Sequence, residues 1–148
     1  RYEIPFCVAN RSSEKLDFFK SYAETKNFTE IVYEVTHAKH DILEYDIIVN
    51  ATSAGLSKNL PLPKEILQSL FTRSNLAFDL MYQQGELTTF CKLASQCNIP
   101  FLDGKNMLVY QAAISFLYFH CNENLEHEAR NLILQDIITL MNSALGIQ

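Results

Sequence analysis

Asp46-Ile47-Ile48-Val49-Asn50-Ala51-Thr52-Ser53-Ala54-Gly55 decides how this chain is read: an apolar, β-branched run breaks into small polar residues and then glycine. A parallel strand covered on both faces reads as such a continuous run, and in open α/β sheets ligands gather where the strands end. Asn50, Thr52, Ser53 and Gly55 are therefore expected at a ligand-facing strand end. An ordinary strand-to-loop junction gives the same letters, so the neighbouring segments have to decide.

Upstream, Pro5 to Asn10 reads as a short apolar strand, and Ser12 or Ser13 can cap a helix whose Leu16, Phe19 and Tyr22 recur at helical spacing. Thr29 to Val35 is β-branched and predicts a second strand. Downstream, Leu60-Pro61-Leu62-Pro63 keeps the backbone out of helix until Lys64 begins a short one. Asn75 to Leu80 predicts a strand, Leu87 to Gln96 a helix, and Ile99 to Leu102 a short strand closed by Asp103-Gly104. Two long helices complete the chain, Asn106 to His120 and Leu125 to Leu145. The last carries Leu132, Leu134, Ile137, Ile138, Met141 and Leu145 on an apolar face that needs packing. Strands alternating with helices imply right-handed βαβ units and a mostly parallel sheet, hence an α/β, Rossmann-like, doubly wound fold.

Composition narrows the function. With 148 residues, 48% hydrophobic and 20% charged, the chain has the make-up of one globular domain. Its net charge of -5, without a basic block, argues against nucleic acid as a partner. No apolar stretch approaches the roughly 20 residues that span a bilayer, and the N-terminus lacks a signal-peptide pattern, so no membrane partner and a cytoplasmic location are expected. Cys7, Cys91, Cys97 and Cys121 show no C-x-x-C spacing and are read as reduced core thiols. His37 and His40 lack a second pair of ligands, so no metal site is expected.

The first strand ends Ala9-Asn10-Arg11-Ser12. In a dinucleotide-binding fold an acidic residue at this point accepts from the ribose 2′-hydroxyl of NAD, whereas Arg accommodates the 2′-phosphate of NADP. Arg11 offers a planar fork, Ser12 a hydroxyl, and Lys15 a second positive charge one helical turn along.

Four segments together resemble the shikimate dehydrogenase family: Ala9 to Lys15 (ANRSSEK), Asn50 to Gly55 (NATSAG), Phe78 to Gln83 (FDLMYQ) and Asp103 to Ala113 (DGKNMLVYQAA). They stand in the family's order, at similar separations, over Asn10 to about Phe119. The resemblance implies a cofactor site in which Asn10, Arg11, Ser12 and Lys15 clamp the adenosine phosphate, with Lys15 where Arg is common. Thr52 and Ser53 would run beside the cofactor, Leu80 would pack near the nicotinamide, and Gly104 would lay its backbone by the same ring. Tyr82 and Gln111 match substrate-contacting residues. Asn106 departs from a second glycine often found in that turn. The implied activity is reversible hydride transfer between NADPH and 3-dehydroshikimate, giving shikimate. A quinate/shikimate dehydrogenase preferring NAD, or a non-catalytic dinucleotide-binding module, stays open as an alternative.

The resemblance also bears on the region before Arg1. The chain has four glycines, none in a Gly-rich loop, so it is read as a partial NADP-binding domain over 1–148. Its core would be 1–120, with a C-terminal helix at 124–146 packing toward an N-terminal substrate domain. That domain would carry the family's catalytic Lys and Asp; no catalytic residue is assigned in this chain, and Lys105 is not promoted to the role. The fold's own first strand and its Gly-rich loop are expected to be lacking; in the doubly wound order 3-2-1-4-5-6 that strand lies between the second, here Pro5 to Asn10, and the fourth, here Asp46 to Asn50, so these two are expected not to pair directly.

Overall fold

The computed structural model describes residues 6–10, 12–26, 30–34, 44–120 and 126–146. It divides into two compact units, Arg1–Leu43 and Glu44–Gln148.

In the first unit β1 (Phe6–Asn10), α1 (Ser13–Lys26) and β2 (Glu30–Glu34) form one βαβ unit. The strands are parallel, in register from Phe6 opposite Glu30 to Asn10 opposite Glu34. Residue chemistry starts α1 where the sequence predicts. The Ser12 N–H donates to Asn10 Oδ1 at 3.0 Å, a local turn, and the Ser12 carbonyl accepts the Leu16 N–H at 3.3 Å. Leu16 is buried.

The second unit holds β3 (Tyr45–Asn50), α2 (Lys64–Phe71), β4 (Ser74–Asp79), α3 (Thr89–Gln96), β5 (Phe101–Leu102), α4 (Lys105–His120) and α5 (His127–Leu145). Its sheet is parallel in the order β3-β4-β5. The two sheets reproduce stretches of the doubly wound order, β2-β1 as its strands 3-2 and β3-β4-β5 as 4-5-6.

Helices α2 and α3 supply the core. Leu67, Phe71, Phe90, Cys91, Leu93 and Ala94 are buried together with Ala77 of β4 and Ile99, and Ile48 of β3 packs against them. Phe71 and Phe90 meet edge to face, centroids 5.1 Å apart. Thr88 moves the start of α3 two residues past the Leu87 expected from sequence, because its hydroxyl accepts the Cys91 N–H at 3.2 Å and caps the helix. Between β3 and the start of α2 a short 3₁₀ turn, Ser53–Ser57, appears that periodicity did not predict.

Two expectations about packing need correction. The continuous apolar run of β3 implies cover on both faces, yet Ile47 and Val49 are 52% and 51% exposed, and Leu102 of β5 is 52% exposed. Strand alternation sends Ile48 into the core and its neighbours to the other side, where the second unit offers no cover. On α5, Leu134, Ile137, Ile138 and Met141 do pack with Val109 and Ala113 of α4. Leu132 is 70% exposed, since six residues from Ile138 put it about 120° around the helix from that face. Cys121, His37, His40 and the chain from 121 to 125 lie outside the described residues. No helix among the described residues is long and apolar enough to cross a membrane.

Candidate functional site

Because β3, β4 and β5 are parallel, their C-terminal ends emerge at one edge. Backbone hydrogen bonds stitch the segments just beyond these ends to one another: the Leu80 N–H donates to the Asn50 carbonyl at 3.0 Å, and the Gly104 N–H to the Met81 carbonyl at 3.1 Å. Asp103 Oδ1 accepts the Lys105 N–H at 3.1 Å, which turns the chain straight from β5 into α4. Gln83 Nε2 donates to the Gly55 carbonyl at 3.1 Å, tying the 3₁₀ turn to the segment after β4.

Gly104 is buried where no side chain fits. A Cβ there would run into the Leu80 carbonyl oxygen. The family resemblance implies a close approach of this glycine to cofactor; the close approach the structure displays is of one strand-end backbone to another.

These segments surround a hollow of about 420 Å³ lined by Leu80, Met81, Tyr82, Gln84, Gly104, Met107 and Leu108. Three expected residues, Leu80, Tyr82 and Gly104, are thus brought together. Met107 and Leu108 were missed, although a signal existed: they stand three and four residues after Gly104, one turn along α4. Met81 carried no signal beyond its place between Leu80 and Tyr82, and Gln84, two residues past Tyr82, carried none.

The remaining expected residues lie around this centre or outside it. Gln111 is exposed and does not line the hollow; it stands one helical turn beyond Met107 on α4. Thr52 and Ser53 are exposed at the mouth of the 3₁₀ turn. The Thr52 hydroxyl already donates to Asn50 Oδ1 at 2.8 Å and accepts the Ala54 N–H at 3.3 Å, so it shapes the turn. In the first unit Asn10 and Ser12 form the strand-to-helix turn and Lys15 is exposed on the first turn of α1. Arg11 lies outside the described residues.

Polar groups at this edge are few and well partnered. Asp79 is fully buried, and its carboxylate accepts from Asn50 Nδ2 at 3.0 Å, the Met81 N–H at 3.1 Å and Thr88 Oγ1 at 2.6 Å. Burial pushes the nearby Cys91 thiol up, with the Asp79 and Asp103 carboxylates adding to the rise against a hydrogen bond with Thr88. Cys91 is therefore a protonated packing residue.

A parallel sheet of this order, with an apolar hollow at its strand ends beside a helix start, defines a Rossmann-like α/β protein. No protein-family model matches the chain. Among curated relatives, shikimate dehydrogenase (NADP(+)) of Helicobacter acinonychis is 45% identical over 116 residues, 78% of this chain and 40% of the relative. Shikimate dehydrogenase (NADP(+)) of Helicobacter hepaticus is 36% identical over 145 residues, 97% of this chain and 50% of the relative. A crystal structure of a shikimate dehydrogenase in complex with NADP+ superposes with a TM-score of 0.58 at 25% identity, covering 91% of this chain and 46% of the other. The chain is similar to these shikimate dehydrogenases over most of its own length and spans about half or less of theirs.

Proposed function

We propose that this chain is the cofactor-binding part of a longer, NADP-dependent shikimate dehydrogenase that interconverts 3-dehydroshikimate and shikimate by hydride transfer. The observation that carries the proposal is the convergence of Leu80, Tyr82 and Gly104, three residues of the family motifs, on one hollow at the ends of β4 and β5.

The residues present fit a nicotinamide. Leu80, Met81, Met107 and Leu108 offer an apolar wall to a flat ring, and Gly104 lines the same hollow. When bound, that ring supplies the hydride chemistry, and the protein supplies orientation and electrostatics. The apolar wall excludes water from the reacting face. Tyr82 and Gln111 offer a hydroxyl and an amide that can orient a polyhydroxylated acid. In the first unit Asn10, Arg11, Ser12 and Lys15 would hold the adenosine phosphate, Arg11 by a bidentate fork and Lys15 as a point charge at a helix start that favours anions. Thr52 and Ser53 would flank the cofactor through the shape of their turn.

Proton transfer falls to the Lys and Asp of a substrate domain outside this chain. A larger protein is also supported by apolar surface that the second unit leaves uncovered: Ile47, Val49 and Leu102 on the sheet, and Tyr110, Ile114, Tyr118 and Phe119 on α4. The C-terminal helix is proposed to pack toward that domain, and the protein to work in the cytoplasm.

Arg11→Ala in the complete protein tests the cofactor assignment. Loss of a charge-assisted contact worth roughly 1.5 to 3 kcal/mol should raise KM for NADPH about 10- to 100-fold while sparing NADH. Equal effects on both cofactors would contradict the clamp.

A further inference from the structure

Asp79 takes no part in the proposed hydride transfer, yet it is a fully buried carboxylate at the end of β4, one residue before Leu80, which lines the hollow. Every group around it donates. Oδ1 accepts from Asn50 Nδ2 and the Met81 N–H, and Oδ2 accepts from Thr88 Oγ1, whose own lone pair takes the Cys91 N–H. An ionised carboxylate satisfies all three partners at once.

The bonds run outward from Asp79 to Met81, which lines the hollow, and to Asn50 and Thr88 on the flanking segments. Asn50, its amide facing Asp79, uses Oδ1 to hold the Thr52 N–H at 3.1 Å and the Thr52 hydroxyl at 2.8 Å. Met81 lies between Leu80 and Tyr82, and its carbonyl accepts the Gly104 N–H. One carboxylate therefore fixes the turn after β3, the segment after β4 and, through Met81, the start of α4. A buried carboxylate costs several kcal/mol unless well paired, and apolar packing could hold the strands without that cost. This one sits at the ligand-facing edge of the sheet, where fixed backbone placement has a use.

We propose that Asp79 is a positioning residue whose carboxylate sets the placement of Leu80, Tyr82 and Gly104 around the hollow, so that the hydride-transfer step depends on it more than binding does. The proposal rests on the reading of the protein as a hydride-transferring dehydrogenase.

The test is Asp79→Asn in the complete protein, assayed with NADPH and 3-dehydroshikimate at a temperature where circular dichroism finds it folded. The substitution keeps size and shape but turns one acceptor oxygen into a donor that faces another donor. The single-turnover rate and kcat should fall roughly 10- to 100-fold, the scale of an ångström-sized misplacement, with KM for both reactants near wild type. Leu67→Ala, which thins the core beneath α2, should lower the melting temperature and leave kcat unchanged. If Asp79→Asn does not fold, Asn50→Ala, which cuts one arm, should give a smaller loss confined to kcat. Wild-type rates in folded Asp79→Asn, a loss confined to KM, unaltered kcat in Asn50→Ala, or an equal kcat loss in Leu67→Ala would each overturn the positioning role. A wild-type protein without turnover would overturn the functional reading itself, and this proposal with it.

Discussion

Replacing Gly104 by alanine is expected to abolish NADPH-linked turnover and to destabilise the complete protein by about 3 kcal/mol, the upper end of overpacking costs. The added Cβ would run into the Leu80 carbonyl oxygen, a backbone atom that cannot swing aside as a flexible side chain would. Both backbones are also tied. Leu80 N–H is bonded to the Asn50 carbonyl and Gly104 N–H to the Met81 carbonyl, so relief on either side breaks the stitching of the strand ends. The urea midpoint and the steady-state rate measure the two effects separately. Near-wild-type values for both would contradict the contact between these backbones.

Phe90→Ala should cost about 3–5 kcal/mol, the usual range for a large aromatic truncated in a core that cannot collapse. Phe90 is 1% exposed and meets Phe71 edge to face. It also lies two residues past Thr88, so slack in the core reaches the cap of α3 and the hydroxyl that Asp79 accepts. Equilibrium urea unfolding of the complete protein gives the figure. A loss below about 1 kcal/mol would mean that the site does collapse and that α3 is less firmly packed than its burial indicates.

The elements were legible because their signals are local. The β-branched run before Asn50, the Pro-x-Pro before Lys64 and the Asp103-Gly104 break mark boundaries that the structure keeps within a few residues. The lining of the hollow was legible in part. Leu80, Tyr82 and Gly104 came from motif resemblance, and no periodicity would have chosen them. Asp79 escaped because its role depends on register: Asn50 and Asp79 are 29 positions apart and become partners only when β3 and β4 align in parallel. The same holds for Gly104, whose need to be glycine is set by Leu80, a residue of another strand end. Exposure of Ile47, Val49 and Leu132 was likewise hidden, because an apolar letter states a preference for cover and not whether cover is supplied.

The central claim is that the complete protein carrying this chain reduces 3-dehydroshikimate with NADPH. Following the absorbance of the reduced nicotinamide, with NADPH and NADH compared and the reverse reaction run on shikimate and on quinate, measures it directly. The predicted result is turnover that prefers NADPH to NADH and shikimate to quinate. Absence of turnover with every pair, despite measurable NADPH binding, would contradict it and leave a dinucleotide-binding module.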